Sequence, residues 1–287
     1  MRFGVHATTG GGLVAAVDYA SGIGCECVQV FAKSPMQWKG PRHSAEDCAA
    51  FREALAAAGL PPAYTHTAYL LNLSGLDDDL RMKSARALAD ELVRAEDLGA
   101  AGVVTHVGTF ADVDAPAAAR RLCESLAVAR EESGAQVRVL LENSAGAGTL
   151  FLADPDQYGL VFSDLGDDHG AVGVCLDTCH AHAAGHDLSG PEGWGALLDA
   201  LDAAAGPGAI GLVHANDCMH PAGSHKDRHD WIGRGTIGES GFAAMVAQAR
   251  LSGCDVVMEM PGEAPEKDVV NLMRLKALRA SCGACGS

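Results

Sequence analysis

No apolar run among the 287 residues approaches the eighteen or so that a membrane span needs. The N-terminal stretch carries one arginine, Arg2, and no long apolar block before Asp18, which predicts no secretory signal. Cations are scarce: 21 lysines and arginines stand against 37 aspartates and glutamates, a net charge of −16. That balance argues against a protein that coats nucleic acid non-specifically. It leaves room for a local cationic site, above all one whose cations are metal ions. Glycine (35) and proline (11) together make up about one residue in six, too few for a low-complexity chain. What is abundant is apolar: 48% of residues are hydrophobic and 20% charged, the profile of a core-forming chain. Ten cysteines in so long and apolar a chain fit a reduced, cytoplasmic setting better than a disulfide framework.

At about 150 residues per domain the length suggests roughly two domains, yet one α/β barrel of about 250 residues fits equally. The order of elements decides. β-rich runs at Phe3–His6, Cys25–Phe31, Ala63–Thr67, Gly102–Val107, Val137–Glu142, Val172–Asp177, Ile210–Ala215 and Asp255–Met260 alternate with helical stretches such as Asp79–Leu98, Ala115–Ser133 and Glu192–Ala205. Leu80, Ala87, Leu88, Leu92, Ala95 and Leu98 recur at three- and four-residue steps and give one buried stripe. Helices stop at Gly22, Gly59, Gly99 and Gly134. The strands are nearly continuous apolar runs, as in a parallel sheet covered on both faces. No linker or composition break divides them. The pattern predicts a single (β/α)8 TIM barrel over residues 1–287, with about 280–287 as a frayed tail.

Seven of the eight strands stop on an informative residue. His6, His66, His106, Glu142, Asp177, His214 and Glu259 lie at or beside predicted C-terminal strand ends, which converge at one barrel mouth. From His66 the successive steps are 40, 36, 35, 37 and 45 residues. Two loops add more. Asp177 and His180 are three apart, so one helical turn places both on one side. Asp227 and His229 are two apart, which gives one face in an extended segment. A single polar strand end means only that the chain is leaving the core; six in a row mean more.

Five histidines (His66, His106, His180, His214, His229) and four carboxylates (Glu142, Asp177, Asp227, Glu259) would thus face one cavity. Two carboxylates about 4 Å apart repel by roughly 1–4 kcal/mol, and four compound the cost. Metal ions remove it, and mixed imidazole and carboxylate donors suit zinc or manganese. Nine donors exceed one tetrahedral ion and saturate two. Three ions with one shared carboxylate, and open positions for water, fit best, which predicts a polynuclear hydrolytic site.

Over essentially its whole length the chain resembles the endonuclease IV family, zinc-dependent apurinic/apyrimidinic (AP) endonucleases of base-excision repair. The resemblance rests on His66-Thr-Ala-Tyr-Leu-Leu-Asn72, Leu-Glu142-Asn-Ser-Ala-Gly146, Gly173-Val-Cys-Leu-Asp-Thr-Cys-His180, His214-Ala-Asn-Asp217 and Gly223-Ser-His-Lys-Asp-Arg-His229. It implies that His66, His106 and Glu142 hold a first Zn2+. Glu142 would bridge to a second, completed by Asp177, His214 and Glu259, while His180, Asp227 and His229 hold a third; Mn2+ can replace zinc at one of the three. It further implies Glu142 and Glu259 as catalytic groups, Glu259 orienting or deprotonating the nucleophile. The implied reaction cleaves the phosphodiester 5′ to an abasic site, leaves a 3′-hydroxyl and trims blocked 3′ ends on double-stranded DNA. A cytoplasmic monomer without membrane contact is expected. Three divalent ions would move the net charge from −16 to about −10 and put a positive field at the phosphate.

By the same resemblance Gln37 and Trp38 belong to a DNA-reading turn, and Tyr69 and Leu70 wedge into the minor groove. Lys226 and Arg228 would contact DNA beside the third metal group. Trp38 packing the loop base is the alternative for that residue. The loop 32–45 holds Lys33, Lys39 and Arg42 and no acid, a local excess suited to phosphates. Met36 stands where some relatives carry an intercalating arginine, and Cys218-Met219 where a small residue and lysine are usual. Leu71 and Val107 are further departures, and none is a ligand. Losing two cations should reduce affinity and its salt dependence. His6 is expected on the pocket floor; His182 and His186 as packing or orienting groups; His43, His169, His220 and His225 in loops; Cys175 and Cys179 as small core residues; Cys282 and Cys285 as free thiols. Two other readings stand beside the nuclease. A metal-dependent sugar isomerase or epimerase shares the barrel but lacks the His180/Asp227/His229 group. A non-catalytic lesion-binding protein would keep the metals as staples.

Overall fold

The computed structural model describes residues 1–111, 114–264 and 266–284. In chain order the elements are β1 (Arg2–Ala7), α1 (Leu13–Gly22), β2 (Cys27–Phe31), α2 (Ala45–Ala58), β3 (Ala63–His66), α3 (Asp78–Leu98), β4 (Gly102–Thr105), α4 (Ala115–Ser133), β5 (Arg138–Glu142), α5 (Pro155–Asp164), β6 (Val172–Asp177), α6 (Thr178–Ala184), α7 (Pro191–Ala205), β7 (Ile210–His214), β8 (Asp217–Cys218), β9 (His229–Asp230), α8 (Gly238–Val246), β10 (Asp255–Met258) and α9 (Lys267–Ala284). Eight strands close a parallel barrel in the order β1-β10-β7-β6-β5-β4-β3-β2, the α/β TIM barrel expected. β8 and β9 form a separate antiparallel ribbon over the mouth side. The last helix continues to Ala284 through Cys282, within the stretch expected to fray; Cys285 lies outside the described residues.

Local chemistry sets the helix ends. Ser44 and Asp47 form a reciprocal cap on α2, and Asp77, Asp114 and Asp154 each accept a backbone N–H at the start of α3, α4 and α5. Gly59, Gly99 and Gly134 end α2, α3 and α4 in the left-handed conformation that a side chain would resist.

Inside the barrel, Cys27, Tyr64, Val104, Leu140, Cys175, Leu212 and Val257 form one closed apolar layer, each from a different strand. Successive side chains on a strand alternate in direction, so residues two further along point inward as well. Those residues are Gln29, His66, His106, Glu142, Asp177, His214 and Glu259. On β1 the same step runs from Gly4 to His6. A Cβ at Gly4 would lie 1.9 Å from the Cys27 carbonyl oxygen, so only glycine lets β1 approach β2 there. The barrel therefore carries a polar ring directly above an apolar one, about 7 Å apart along the strands.

One expectation fails. Lys33 does not join a cationic surface; it is buried and donates to Glu91 of α3, whose carboxylate also accepts from the Ala68 N–H at 3.3 Å. Burial pushes the Glu91 carboxyl up, and the Lys33 charge opposes that. Arg42 turns to Asp90 at 3.0 Å. Carboxylates of α3, invisible within the loop's own sequence, thus absorb two of its three cations. Lys33→Met strands a buried carboxylate and should lower unfolding free energy by about 3–5 kcal/mol, whereas Lys33→Met with Glu91→Leu should recover most of the loss. Urea melts measure this, and equal losses in both variants would contradict the pairing.

Candidate metal centre

The polar ring gathers around Glu142. This carboxylate is 2% exposed. Its Oε2 lies 3.1 Å from both His66 Nε2 and His106 Nε2, and its Oε1 lies 3.3 Å from His214 Nδ1 and 3.4 Å from His180 Nδ1. Burial disfavours its charge, but the charges and hydrogen bonds of His106 and His214 outweigh that and hold it well below the usual carboxylate range. Burial likewise opposes the protonation of His180 and His214, but Asp177, Asp227 and Glu142 around His180, and Cys175, Glu259 and Glu142 around His214, raise both well above the ordinary imidazole value.

A second set stands beside the first. α6 begins immediately after β6, and Asp177 caps it by accepting the His180 N–H at 2.8 Å, so one turn carries His180 over the mouth. His180 Nε2 lies 3.2 Å from Asp227 Oδ2, and His229 Nε2 lies 3.3 Å from Asp227 Oδ1 and 3.8 Å from Asp177 Oδ2. Despite burial, the Asp227 carboxylate raises His229 to about 9. Potential donor atoms lie within 4.8 Å of one another in the sets His66/His106/Glu142, Glu142/Asp177/His214 and His180/Asp227/His229. Glu259 stands outside these sets: its Oε2 is 3.8 Å from His214 Nδ1, while its Oε1 is 2.8 Å from His6 Nδ1. Cys179 Sγ groups with Asp177 and His229, so this thiol borders the centre although the sequence suggests only packing; Cys175 belongs to the apolar layer.

Backbone carbonyls set which ring nitrogen is bare. His66 Nδ1 donates to Thr67 O at 2.8 Å, His180 Nδ1 to Asn143 O at 2.8 Å and His229 Nδ1 to Glu259 O at 3.2 Å. A carbonyl only accepts, so the proton sits on Nδ1 and Nε2 faces the centre. His214 is reversed: Nε2 donates to the Oε1 of Gln29 at 3.0 Å, leaving Nδ1 toward Glu142. The Gln29 amide also donates to Glu259 at 3.3 Å. Gln29 carries no ligand chemistry to mark it in the sequence, yet the step of two from Cys27 leads to it. Asn143 brackets Asp177 through its backbone N–H and carbonyl, and Asn216 donates to Asp177 Oδ2 at 2.6 Å and accepts the Glu259 N–H at 2.8 Å. Asp217 accepts N–H bonds from Cys218, Gly233, Gly235 and Ile237, pinning the segment after β9.

The centre opens into a cavity of about 740 Å3 lined by His6, Phe31, Tyr69, His229 and Glu259 among others. His6 packs against Phe31 with the rings tilted and their centroids 4.3 Å apart, and lines the cavity where the floor is expected. Tyr69 is 53% exposed at the rim, its ring 5.8 Å from His66 and 6.0 Å from His106. Leu70 is half-buried beside it, and Gln37, Met36, Met219, Lys226 and Arg228 are exposed. Trp38 does not face the mouth group: Lys83 Nζ sits 4.0 Å from its ring centroid and the ring packs on the core, the loop-base role. His182 is buried, accepting from Leu188 N–H and facing Thr236 Oγ1, a packing role as expected.

A family model described as a xylose isomerase-like TIM barrel matches residues 17–278. The chain is 39% identical over 280 residues to a probable endonuclease 4 of Streptomyces coelicolor, covering 96% of this chain and 94% of that protein. The chain belongs to the endonuclease IV family. The crystal structure of endonuclease IV from Thermus thermophilus superposes with a TM-score of 0.86 at 34% identity, covering 98% of this chain and all of that one. A D-tagatose 3-epimerase-like protein superposes at 0.74 with 17% identity over both full chains, which shows a shared barrel and nothing more. No helix among the described residues is long and apolar enough to cross a membrane.

Within this endonuclease IV family member, Gln29→Leu removes both the acceptor for His214 and the donor to Glu259. The expected result is a loss of about 10–100-fold in divalent-metal affinity, read by competition with a chromophoric chelator. Unchanged affinity would show that Gln29 only fills space.

Proposed function

We propose that this protein is an AP endonuclease: it hydrolyses the phosphodiester 5′ to an abasic site in double-stranded DNA, leaves a 3′-hydroxyl and removes 3′ blocking groups. The observation that carries the reading is the His180/Asp227/His229 set beside a buried Glu142 shared by two other sets. The residues fit metal ions by their own chemistry. His229 Nε2 is buried without a hydrogen-bond partner, 3.3 Å from Asp227 Oδ1 and 3.8 Å from Asp177 Oδ2, an orphaned polar atom among carboxylates that a cation would satisfy. We assign three Zn2+, with Mn2+ able to replace one, to His66/His106/Glu142, to Glu142/Asp177/His214/Glu259 and to His180/Asp227/His229. Bound there, such ions would supply Lewis acidity and bring the pKa of water down to about 7.

The chain's own groups do the rest. Tyr69 and Leu70 wedge beside the lesion and hold the abasic nucleotide out of the stack. Gln37, Lys226 and Arg228 hold the backbone in register. Glu259 orients the attacking water and takes its proton as the water oxygen bonds to phosphorus and the bond to the 3′-oxygen breaks; the departing oxygen takes a proton from solvent and leaves as a hydroxyl. Glu142, locked by four imidazoles, stays ionised and fixes the positions of His66, His106 and His214. The whole chain acts as one domain, as a monomer in the cytoplasm.

Exhaustive chelation should abolish nicking of an abasic duplex and lower Tm by about 5 °C or more, because metal affinity for the folded state adds to stability. Activity surviving chelation would sink the metal assignment. Glu259→Gln should bind the abasic duplex within about threefold of the parent while cleavage falls at least about 100-fold. Near-parental turnover in that variant would remove Glu259 from proton transfer. An aldose or ketose epimerised without nicking would favour the sugar-active alternative, and tight lesion binding without cleavage the lesion-binding one.

A further inference from the structure

A second cavity, of about 530 Å3, lies away from the metal centre between the loop after β2 and the side of α3. Trp38, Gly40, Ala87 and the aliphatic stems of Lys39, Arg42, Lys83 and Arg86 line it. Its floor is fixed. Arg94 is 4% exposed, donates to Gly40 O and Pro41 O at 2.8 Å each, and pairs with Asp90 at 2.7 Å. Asp90 is the one carboxylate in the wall and is shared by Arg94 and Arg42. Arg86 has only the exposed Glu132 at 3.3 Å, and Lys39 and Lys83 face no carboxylate among the described residues. A chain of charge −16 therefore keeps an apolar hollow ringed by cations.

Position argues for its occupant. α3 starts at the mouth end of the barrel and runs back down its flank. At 1.5 Å per residue Lys83 lies about 8 Å and Arg94 about 24 Å below that start. Phosphates alone would pair with the cations and leave the apolar floor uncovered. We propose that the flank cavity docks an acidic peptide segment of a partner protein, seating one large apolar side chain on Trp38 and Ala87 and pairing its carboxylates with Lys39, Lys83 and Arg86. The rigid, pre-formed floor lowers the ordering cost of such a contact, and charge complementarity at the rim selects acidic partners. A peptide held there would leave the mouth open to DNA. The inference does not depend on the nuclease reading, so nicking serves as an independent control.

The test uses the full chain and a fluorescein-labelled peptide, Glu-Asp-Asp-Asp-Leu-Phe, in an anisotropy titration. Saturable binding is expected, weakened at least tenfold in Lys83→Glu/Arg86→Glu and in the peptide with its acids replaced by amides. Both substituted side chains are exposed and lie outside the metal centre, so abasic-site nicking should stay at its parental value. No binding up to millimolar peptide, or binding indifferent to the charge reversals, overturns the proposal. So does a loss of duplex affinity with a shallower salt slope in the same variant, which would make the flank a DNA-backbone contact.

Discussion

The structure is organised around carboxylates that repel one another and must nevertheless share a dry site. Glu142, Asp177 and Glu259 project from three strands into one ring, and Asp227 reaches them from the loop before β9. Like charges about 4 Å apart cost several kcal/mol at the effective dielectric of a partly buried site. In the protein alone that cost is offset by imidazoles: burial pushes Glu142, Asp227 and Glu259 up, and neighbouring histidines pull all three down again. The raised histidines and lowered acids are two sides of one arrangement. Cations are demanded at this point, and protons on imidazole are the weakest form of that supply. A divalent ion concentrates the same charge in one place and accepts the bare nitrogens that backbone carbonyls have already aimed at it.

Rigidity follows from where the ring is built. Its members sit at or just past strand ends, two residues beyond an apolar layer packed by Tyr64, Val104, Leu140, Cys175, Leu212 and Val257. A shift of one residue in any strand would turn its member outward. The layer beneath therefore registers the chemistry above. Asn143, Asn216 and Asp217 complete this: they lock Asp177, Glu259 and the segment after β9 through backbone hydrogen bonds, and Asn216 also holds the Asp177 carboxylate.

Much of this was legible from residue order alone. Strand-and-helix alternation and polar strand ends expose a barrel and its mouth because both follow from local periodicity. What escaped depends on contacts that no local pattern encodes. Gln29 is neutral, with no ligand chemistry to attract notice, and its role appears only once His214 lies against it. Lys33 reads as a free loop cation because its partner, Glu91, is 58 residues away on a helix face. For Trp38 residue order leaves a DNA contact and loop-base packing both open, and only its contacts with Lys83 and the core decide for the flank.

That redistribution bears on how so acidic a chain can engage a polyanion. The rim of the mouth presents Met36, Tyr69 and Met219 as exposed apolar groups, while Lys33 is buried and Arg42 turns toward α3. Each phosphate neutralised by a side chain steepens the loss of affinity with salt; an apolar wedge between bases does not. A protein gripping DNA through wedges and through ions in the mouth would hold its substrate by shape and stacking, with attraction concentrated where the bond is cut. The same economy of cations leaves the flank of α3 as a second place where positive charge gathers over an apolar floor. The loop after β2 serves both surfaces, with Met36 at the rim and Lys39 and Arg42 lining the flank cavity, so one short segment divides its apolar and cationic side chains between two tasks.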